Sequence, residues 1–311
     1  MSRSRSADGQ QECSGIIGVD IGGTKCALVK ADAAGRVLRE TRFGTTDVSG
    51  TLANIYAAVS ELEPGASPVF GIACGGPLDA ARGVILSPPN LPGWDGIAIV
   101  SELESRFGGR GYLMNDANAC ALAEWQFGAG RGTRNMVYLT HGTGMGAGLI
   151  LDGRLYEGTT GDAGEVGHVR LAPEGPVGYG KAGSFEGFCS GGGLSRLAAG
   201  RVVGHGALSA KELAELANAG NAEALAVWEE SGRYLGRALS LLIDILNPEV
   251  IVLGSLYMRS GHLLESAMRE ELSRETLAGP LKACRIVAAE LGESTGVMSA
   301  IAVARYRMAQ A

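Results

Sequence analysis

Apolar runs that end in glycine alternate along this chain with amphipathic segments, and the order is the same in both halves. In the first half the pattern predicts three strands, a helix, a strand, a helix and a strand. The predicted strands are residues 16–22, 26–30, 36–42, 69–73 and 112–114, and the predicted helices are 51–62 and about 97–107. The second of these strands follows a glycine turn.

The second half repeats this order around a loop-rich insertion. Its predicted strands are residues 136–140, 146–151, 250–253 and 284–288, and its predicted helices are 224–246, about 263–277 and a last one after Gly296. Ser209 and Glu212 have the spacing of a capping box, which predicts a further helix start, and Asn247 with Pro248 should end the long helix.

A duplicated βββαβα order predicts an α/β protein of two lobes that bind a small ligand in a cleft. The alternative is one doubly wound sheet. The expected domains are a disordered tail at 1–14, a small lobe of 15–116 with 297–311, and a large lobe of 117–296.

The composition of the chain excludes several classes of function. The chain has 311 residues, of which 46% are hydrophobic and 19% charged, and a formal net charge of −6, which excludes global disorder and a basic face for nucleic acid. The six cysteines are widely spaced, so neither a disulfide framework nor a metal cluster is expected. Without a signal peptide or a long apolar span, we expect a cytoplasmic protein that does not bind membranes.

The segment Asp20-Ile21-Gly22-Gly23-Thr24-Lys25 joins the first two strands. Its glycines allow backbone N–H groups to approach phosphate, Thr24 adds a hydroxyl, and Asp20 could hold hydrated Mg²⁺. The segment lacks the P-loop spacing and leads into a strand, unlike a dinucleotide fingerprint. The alternative is an ordinary hairpin turn.

An equivalent turn, Thr140-His141-Gly142-Thr143-Gly144-Met145-Gly146, follows the first strand of the second half. Alternating glycine and threonine offers N–H and O–H donors without bulk, which suits a phosphate tail. The alternative is again a simple hairpin. Because two such turns occur at equivalent places in the two halves, phosphate binding is favoured over two unrelated hairpins.

Two polar groups carry candidate chemistry beyond these turns. Asn115 and Asp116 follow a strand and begin a helix, where Asp116 could accept a hydroxyl proton and Asn115 could position that hydroxyl; the alternative is a helix cap. Glu165, His168 and Glu186 could bind sugar hydroxyls from loops; the alternative is a set of solvated charges.

Taken together, DIGGTK, NDANA, GTGMGAG, GEVGH and the glycine pattern up to Phe185-Glu186 resemble the ROK family, from Gly15 onward. That resemblance implies the actin/hexokinase/Hsp70-type ATPase fold and a bacterial sugar kinase or a sugar-responsive repressor. The repressors carry an N-terminal winged helix. Only a short polar segment precedes DIGG here, so we expect the kinase.

The resemblance also implies roles for individual residues. Asp116 is the expected general base, ATP and Mg²⁺ are the expected cofactors, and Asp20 is expected to hold the metal through water. The implied sugar-binding residues are Gly76, Asn90, Asn115, Asp116, Glu165, His168 and Glu186, and the implied ATP-binding residues are Asp20, Gly22, Gly23, Thr24, Lys25, Thr143, Gly144, Gly254 and Ser255. One departure from the family is Gly75, where a proline is commoner.

A second departure concerns metal. Many family members have a zinc site in a CxCGxxGCxE segment, completed by the histidine of the GH pair. The three cysteine positions here hold Val177, Tyr179 and Ser184, and a single histidine cannot make a tetrahedral zinc site. We therefore predict no zinc, and we expect packing of Val177, Tyr179 and Phe185 to brace the loop.

The sequence thus predicts an ATP-dependent hexose kinase. Glucose is the first choice of substrate because the AGEVGH segment most resembles the glucokinase branch. The alternatives are N-acetylmannosamine, N-acetylglucosamine or fructose. A homodimer is plausible for the family, and no nucleic-acid partner is expected.

Overall fold

The computed structural model describes residues 15–310, and the predicted disordered tail at 1–14 lies outside the described residues. Contacts divide the chain into a first unit, which runs through Met114 and resumes at Ala300, and a second unit, Asn115–Ser299. Each unit is built on its own five-stranded sheet, rather than both sharing one doubly wound sheet.

The sheet of the first unit has the strand order β3-β2-β1-β4-β8. These strands are β1 (Ile16–Ile21), β2 (Lys25–Ala31), β3 (Val37–Gly44), β4 (Val69–Cys74) and β8 (Arg110–Asn115). Helices α1 (Val48–Glu61) and α2 (Ile99–Phe107) complete this unit with a small sheet of β5 (Leu78–Asp79), β6 (Val84–Leu86) and β7 (Asp95–Ile97). Strand β1 is antiparallel to β2 and parallel to β4.

Helix α10 (Thr295–Met308) contributes its residues from Ala300 onward to the first unit. It approaches the sheet closely: a Cβ atom at Gly71 would lie 2.0 Å from the carbonyl oxygen of Ala300. Glycine in β4 is therefore a packing requirement, because any side chain there would push the helix off the sheet.

The sheet of the second unit has the order β11-β10-β9-β14-β15. Its strands are β9 (Met136–Leu139), β10 (Ala147–Leu151), β11 (Arg154–Leu155), β14 (Val250–Leu253) and β15 (Arg285–Ala288), and β12 (Val177–Gly178) pairs separately with β13 (Lys181–Ala182). Its helices are α3 (Asp116–Phe127), α4 (Phe185–Cys189), α5 (Gly191–Ala198), α6 (Ala210–Asn218), α7 (Ala222–Leu246), α8 (Ser255–Glu275) and α9 (Ala278–Ala283).

Helix boundaries show where the sequence pattern was informative. The capping box of α6 is confirmed: Glu212 N–H donates to Ser209 Oγ, and Ser209 N–H donates to the Glu212 carboxylate at 2.8 Å. Helix α7 ends at Leu246, and the capping residue after it, Asn247, has a left-handed φ of 46°.

The predicted start of α8 near residue 263 is wrong, because the helix begins at Ser255, directly after β14. Its first two turns contain Arg259, Ser260 and Gly261, which hide the apolar period, and Ser260 has a non-helical backbone conformation. None of the described helices is long and apolar enough to cross a bilayer.

Candidate active site

The first glycine turn, residues 22–24, connects β1 to β2 and is closed by its own backbone and by Thr45. Gly22 N–H donates to the Lys25 carbonyl at 3.1 Å, and the Thr45 hydroxyl donates to the Gly22 carbonyl at 2.6 Å. Gly23, Thr24 and Lys25 are exposed. Thr45 N–H also donates to the Thr24 carbonyl at 3.0 Å, so Thr45 fixes the turn and leaves the side chains of Thr24 and Lys25 accessible to a ligand.

Other predicted residues of the first unit lie near this turn. Because β1 and β4 are parallel and Ile21 pairs with Cys74, the turn and the segment containing Gly76 leave the sheet at the same edge. A Cβ atom at Gly23 would lie 2.4 Å from the Asn90 carbonyl oxygen, so the turn also packs on the Asn90 segment.

Asp20 lies near the end of β1 and is half-buried. Burial raises the pKa of the neighbouring Cys26 thiol, and the Asp20 charge adds to that rise. An ionised carboxylate at this position is a suitable oxygen donor for a hydrated magnesium ion.

The second glycine turn, residues 140–146, is stabilised by hydrogen bonds from two helices. Consecutive carbonyls of the turn accept hydrogen bonds from the first residues of α8 and α5. The donor–acceptor pairs are Ser255 to Thr140 (3.2 Å), Leu256 to His141 (2.7 Å), Gly191 to Gly142 (2.8 Å) and Gly192 to Thr143 (3.1 Å). Within the described residues, the N–H groups of Thr143 and Gly144 donate to no protein acceptor, so they remain available to a ligand.

Gly254 explains how α8 comes so close to this turn. A Cβ atom at Gly254 would lie 2.2 Å from the Thr140 carbonyl oxygen, so a side chain there would separate β14 and α8 from the turn. Ser255, the next residue, donates its hydroxyl to the His141 carbonyl at 3.2 Å. Both predicted ATP-binding residues therefore lie against the second turn.

His141 is a buried residue of this turn and links the turn to α4. Its ring is fully buried, Nε2 lies 2.9 Å from the Cys189 carbonyl oxygen at the end of α4, and Nδ1 has no partner among the described groups. Burial lowers the pKa of His141 to about 4, so the ring is neutral near pH 7 and its Nε2–H donates to Cys189.

The candidate base stands at the start of α3. The helix cap is Asn115, whose Oδ1 accepts from Ala117 N–H at 2.9 Å, whereas Asp116 is the first helical residue and accepts from the same N–H at 2.8 Å. Asp116 is exposed by accessible area, and desolvation by the surrounding protein raises the pKa of its carboxyl group. Capping by Asn115 fixes the backbone that carries this carboxylate.

The second unit also brings Glu165, His168 and Glu186 close to the second turn. Gly167 packs closely on Met145, because a Cβ atom at Gly167 would lie 2.1 Å from the Met145 carbonyl oxygen. Glu186 Oε2 accepts from Met145 N–H at 3.1 Å. Partial burial raises the pKa of Glu165, and the charges of Asp162, Asp116 and Glu186 add to that rise. Glu165 and Asp116 are therefore close enough to interact electrostatically.

Two expectations about this cluster are wrong. Glu186 lies in the first turn of α4 rather than on a loop, and the loop is not braced by Val177 and Tyr179, whose exposed fractions are 49% and 68%. Only Phe185 is buried there. The Ser184 hydroxyl closes the loop instead, because it caps α4 at Gly187 N–H and donates to the Gly178 carbonyl, both at 3.1 Å.

These positions do not fit a zinc ion. Val177 has no ligand atom, Ser184 Oγ is already hydrogen-bonded, and the His168 ring makes an edge contact with Tyr179 at 5.8 Å between centroids. In residues 15–310 no group of three or more His, Cys, Asp or Glu side chains is arranged to hold a metal ion.

Sequence reasoning missed the segment Ser190-Gly191-Gly192-Gly193, which starts α5 and supports the second turn. Ser190 caps the helix by accepting from Gly193 N–H at 2.9 Å. A serine followed by three glycines before an apolar residue was the available signal, since glycines at a helix start permit close approach to another backbone.

Comparisons with known proteins agree with this architecture. The glucokinase of Thermotoga maritima is 32% identical over 312 residues, which cover 94% of this chain and 98% of the relative. A ROK hexokinase structure from Thermus thermophilus has a TM-score of 0.84 and 31% identity, and covers 96% of this chain and 100% of its own. A ROK family glucokinase from Streptomyces griseus, solved with glucose and AMPPNP, has a TM-score of 0.73 and 32% identity, and covers 94% and 99%.

Fold and relatives together define a sugar kinase, an ATP:hexose phosphotransferase with the actin/hexokinase-type fold, as the sequence predicted. The chain belongs to the ROK family, whose family model matches residues 16–307.

Proposed function

We propose that this kinase transfers the γ-phosphoryl group of ATP to a hydroxyl of glucose, with Asp116 accepting the hydroxyl proton. The observation that carries the proposal is the position of Asp116 on the first turn of α3, desolvated and fixed by the Asn115 cap. Desolvation raises the pKa of a carboxyl group and makes its ionised form a stronger base.

The carboxylates around Asp116 support a polyhydroxy substrate. Glu165 is partly desolvated and lies in the field of Asp116 and Glu186. Sugar hydroxyls that donate to these carboxylates would offset the repulsion between their charges. A sugar that lacks a matching hydroxyl would leave a carboxylate oxygen without a donor and would therefore bind more weakly. We assign sugar binding in the second unit to Asn115, Asp116, Glu165, His168 and Glu186, and in the first unit to Gly76 and Asn90.

The two glycine turns support the nucleotide assignment. Gly22, Gly23, Thr24 and Lys25 are the proposed phosphate-binding residues of the first turn, and Thr143 and Gly144 those of the second, with Gly254 and Ser255 beside it. Asp20 would hold magnesium through water, and the metal would neutralise charge on the phosphates. Asp116 would remove the hydroxyl proton while the turns hold the phosphates in position.

The identity of the sugar is tested with a panel of hexoses in an assay that couples ADP formation to NADH oxidation. We expect the highest kcat/KM with glucose, ahead of N-acetylmannosamine, N-acetylglucosamine and fructose. A higher kcat/KM with one of these three would reassign the substrate while leaving the kinase class intact.

The sugar assignment of the acidic cluster has its own test. Glu165→Gln removes one hydroxyl acceptor, so we expect the KM for the sugar to rise much more than the KM for ATP. Glu157→Gln, on the same strand-to-helix connection, is the control. Equal changes in both KM values would make Glu165 a structural residue.

We also propose that the enzyme works as a cytoplasmic homodimer without zinc. Replacement of all three family cysteines, by Val177, Tyr179 and Ser184, motivates the statement about zinc. Elemental analysis of protein purified without a metal-affinity tag tests it, and sedimentation velocity tests the dimer; one zinc per chain, or a monomer, would contradict the respective statement.

A further inference from the structure

The helices that hold the second glycine turn share a feature that the assignments above do not use. Arg196 stands four residues after Gly192 on α5, and Arg259 stands four residues after Ser255 on α8. Residues four apart lie on the same helix face, and helical side chains lean toward the N-terminus. Each helix therefore supports the turn with its first residues and presents an arginine on the same face.

Arg196 is the better defined of the two. Its Nη1 and Nη2 atoms lie 3.5 and 3.6 Å from the point where a Cβ atom of Gly192 would be, and that point is 3.2 Å from the Thr143 carbonyl oxygen. The guanidinium therefore lies back over the first turn of α5, beside Thr143. The absence of a side chain at Gly192 leaves room for it there.

Arg259 approaches the turn from the other helix. Ser255, one helical turn before it, has its hydroxyl 3.6 Å from where a Cβ atom of Gly142 would be. The field of Arg259 also reaches His141, where it adds to the lowering of the ring's pKa that burial causes. Arg259 therefore lies one helical turn along α8 from Ser255, the residue whose N–H and hydroxyl donate to the second turn.

Neither arginine is neutralised by the protein. Several exposed arginines of this unit form ion pairs, such as Arg233 with Glu229, although Arg154, Arg170 and Arg285 form none with a described residue. Within residues 15–310, no carboxylate lies within ion-pair distance of Arg196 or Arg259 either. Two unpaired cations beside a turn with two free N–H donors make a local positive potential.

We infer that Arg196 and Arg259 bind the phosphate chain of the nucleotide donor, in addition to the backbone of the second turn. This inference rests on the proposed function, because it assumes that the turn binds a nucleotide. Guanidinium groups suit this task, since each can donate two parallel hydrogen bonds to phosphate oxygens. The ligand recognised is a polyanionic phosphate chain, whereas the nucleoside is recognised elsewhere.

The test compares binding of AMPPNP and adenosine to the full chain by calorimetry. Arg196→Gln and Arg259→Gln should each weaken AMPPNP binding by about tenfold, the loss expected for one hydrogen bond to a charged group. Adenosine, which has no phosphate, should bind all variants equally. Arg196→Lys keeps the charge but loses the planar fork, so its affinity should lie between wild type and Arg196→Gln.

Arg233→Gln is the matched control, because it removes an exposed arginine of the same unit that is engaged with Glu229. Its AMPPNP affinity should equal that of the wild type. An unchanged AMPPNP affinity in Arg196→Gln or Arg259→Gln would overturn the assignment of that residue and make it a solvated surface cation. Parallel weakening of adenosine would also overturn it, since that result indicates a disturbed fold. Failure of the wild type to bind AMPPNP would instead overturn the proposed function itself.

Discussion

The two glycine turns occupy equivalent places in the two units, but they are stabilised in different ways. Both connect antiparallel strands, β1 to β2 and β9 to β10. The first is short and is closed by a backbone hydrogen bond within the turn and by the Thr45 side chain. The second is longer, and its carbonyls are taken by two helix N-termini while the buried His141 ties it to α4.

The difference follows from the number of backbone carbonyls that need a donor. In the first turn a single residue, Thr45, donates to the Gly22 and Thr24 carbonyls, whereas the turn spanning 140–146 has more carbonyls and takes donors from two helices. Helix N-termini have N–H groups without intrahelical partners and so provide those donors. Changes to the first turn should therefore act locally, and changes to the second should spread to α4, α5 and α8.

We propose that the turns bind phosphate and that Asp116 accepts the proton, so removing that carboxylate should give the largest effect. Asp116→Asn should lower kcat by roughly 10²–10⁴-fold with little change in KM, because loss of a general base affects the chemical step. The variant's Tm should stay close to that of the wild type, because the amide keeps the shape of the side chain and can still accept from Ala117 N–H. Near-normal kcat in this variant would show that another group accepts the proton.

Lowering the pH should reduce the stability of the protein through His141 in the second turn. The pKa of His141 is lowered to about 4 in the folded protein, so between about pH 6.5 and 4 the unfolded chain binds a proton that the folded chain does not. Stability should therefore fall with pH across this window, by up to about 3 kcal/mol. His141→Phe should remove this dependence.

The same variant loses the hydrogen bond to the Cys189 carbonyl, so its stability at pH 7 should be lower than that of the wild type. His262→Gln, at an exposed histidine paired with Asn218, is the control for urea denaturation across the pH range. An acid dependence that survives in His141→Phe would assign the titration to other groups.

The first turn should be sensitive to added volume at Gly23 but not at Gly44, which pairs with Lys25 from β3. A Cβ atom at Gly23 would meet the Asn90 backbone, whereas one at Gly44 would meet nothing within 4 Å. Gly23→Ala should lower the free energy of unfolding by about 1–3 kcal/mol, as overpacking does, and should raise the KM for ATP. Gly44→Ala should do neither, and equal effects of the two substitutions would contradict the local packing described here.

The smallest effect should come from the single side chain that supports the first turn. Thr45→Val keeps the shape but removes the hydroxyl that donates to the Gly22 carbonyl, so the expected loss of stability is about 0.5–1.5 kcal/mol. Thr41→Val, on the preceding strand β3, is the control. The KM for ATP should rise slightly in Thr45→Val alone; an unchanged KM would mean that the hairpin holds its conformation without this bond.

Local patterns predicted most of the regular structure. The apolar runs at 16–22 and 250–253 correspond to β1 and β14, and the serine–glutamate spacing identified the capped start of α6. The failures were short or irregular elements. The start of α8 was missed because its first turns have no apolar period; its first N–H groups instead donate to the carbonyls of the second turn.

The motifs also indicated which polar residues to consider, but not how they are supported. DIGGTK and GEVGH combine glycine with donors or carboxylates, whereas NDANA places a carboxylate and amides at a helix start. The resemblance of these motifs to the ROK family predicted a sugar kinase. Glu186 was expected on a loop, yet it lies on α4, where its carboxylate accepts from Met145 N–H. The partner is 41 residues away in sequence, and no local pattern encodes such a contact.

The sequence by itself therefore determined the α/β class, the two glycine turns, the candidate base at Asp116 and membership of a sugar-kinase family. These depend on residue type and local spacing, which the chain carries directly. Tertiary structure alone decided that His141 is buried and neutral, that α5 and α8 satisfy the carbonyls of the second turn, and that Arg196 and Arg259 flank it without ion pairs. Burial, hydrogen-bond satisfaction and the electrostatic field arise from segments far apart in sequence, so they exist only once the chain has folded.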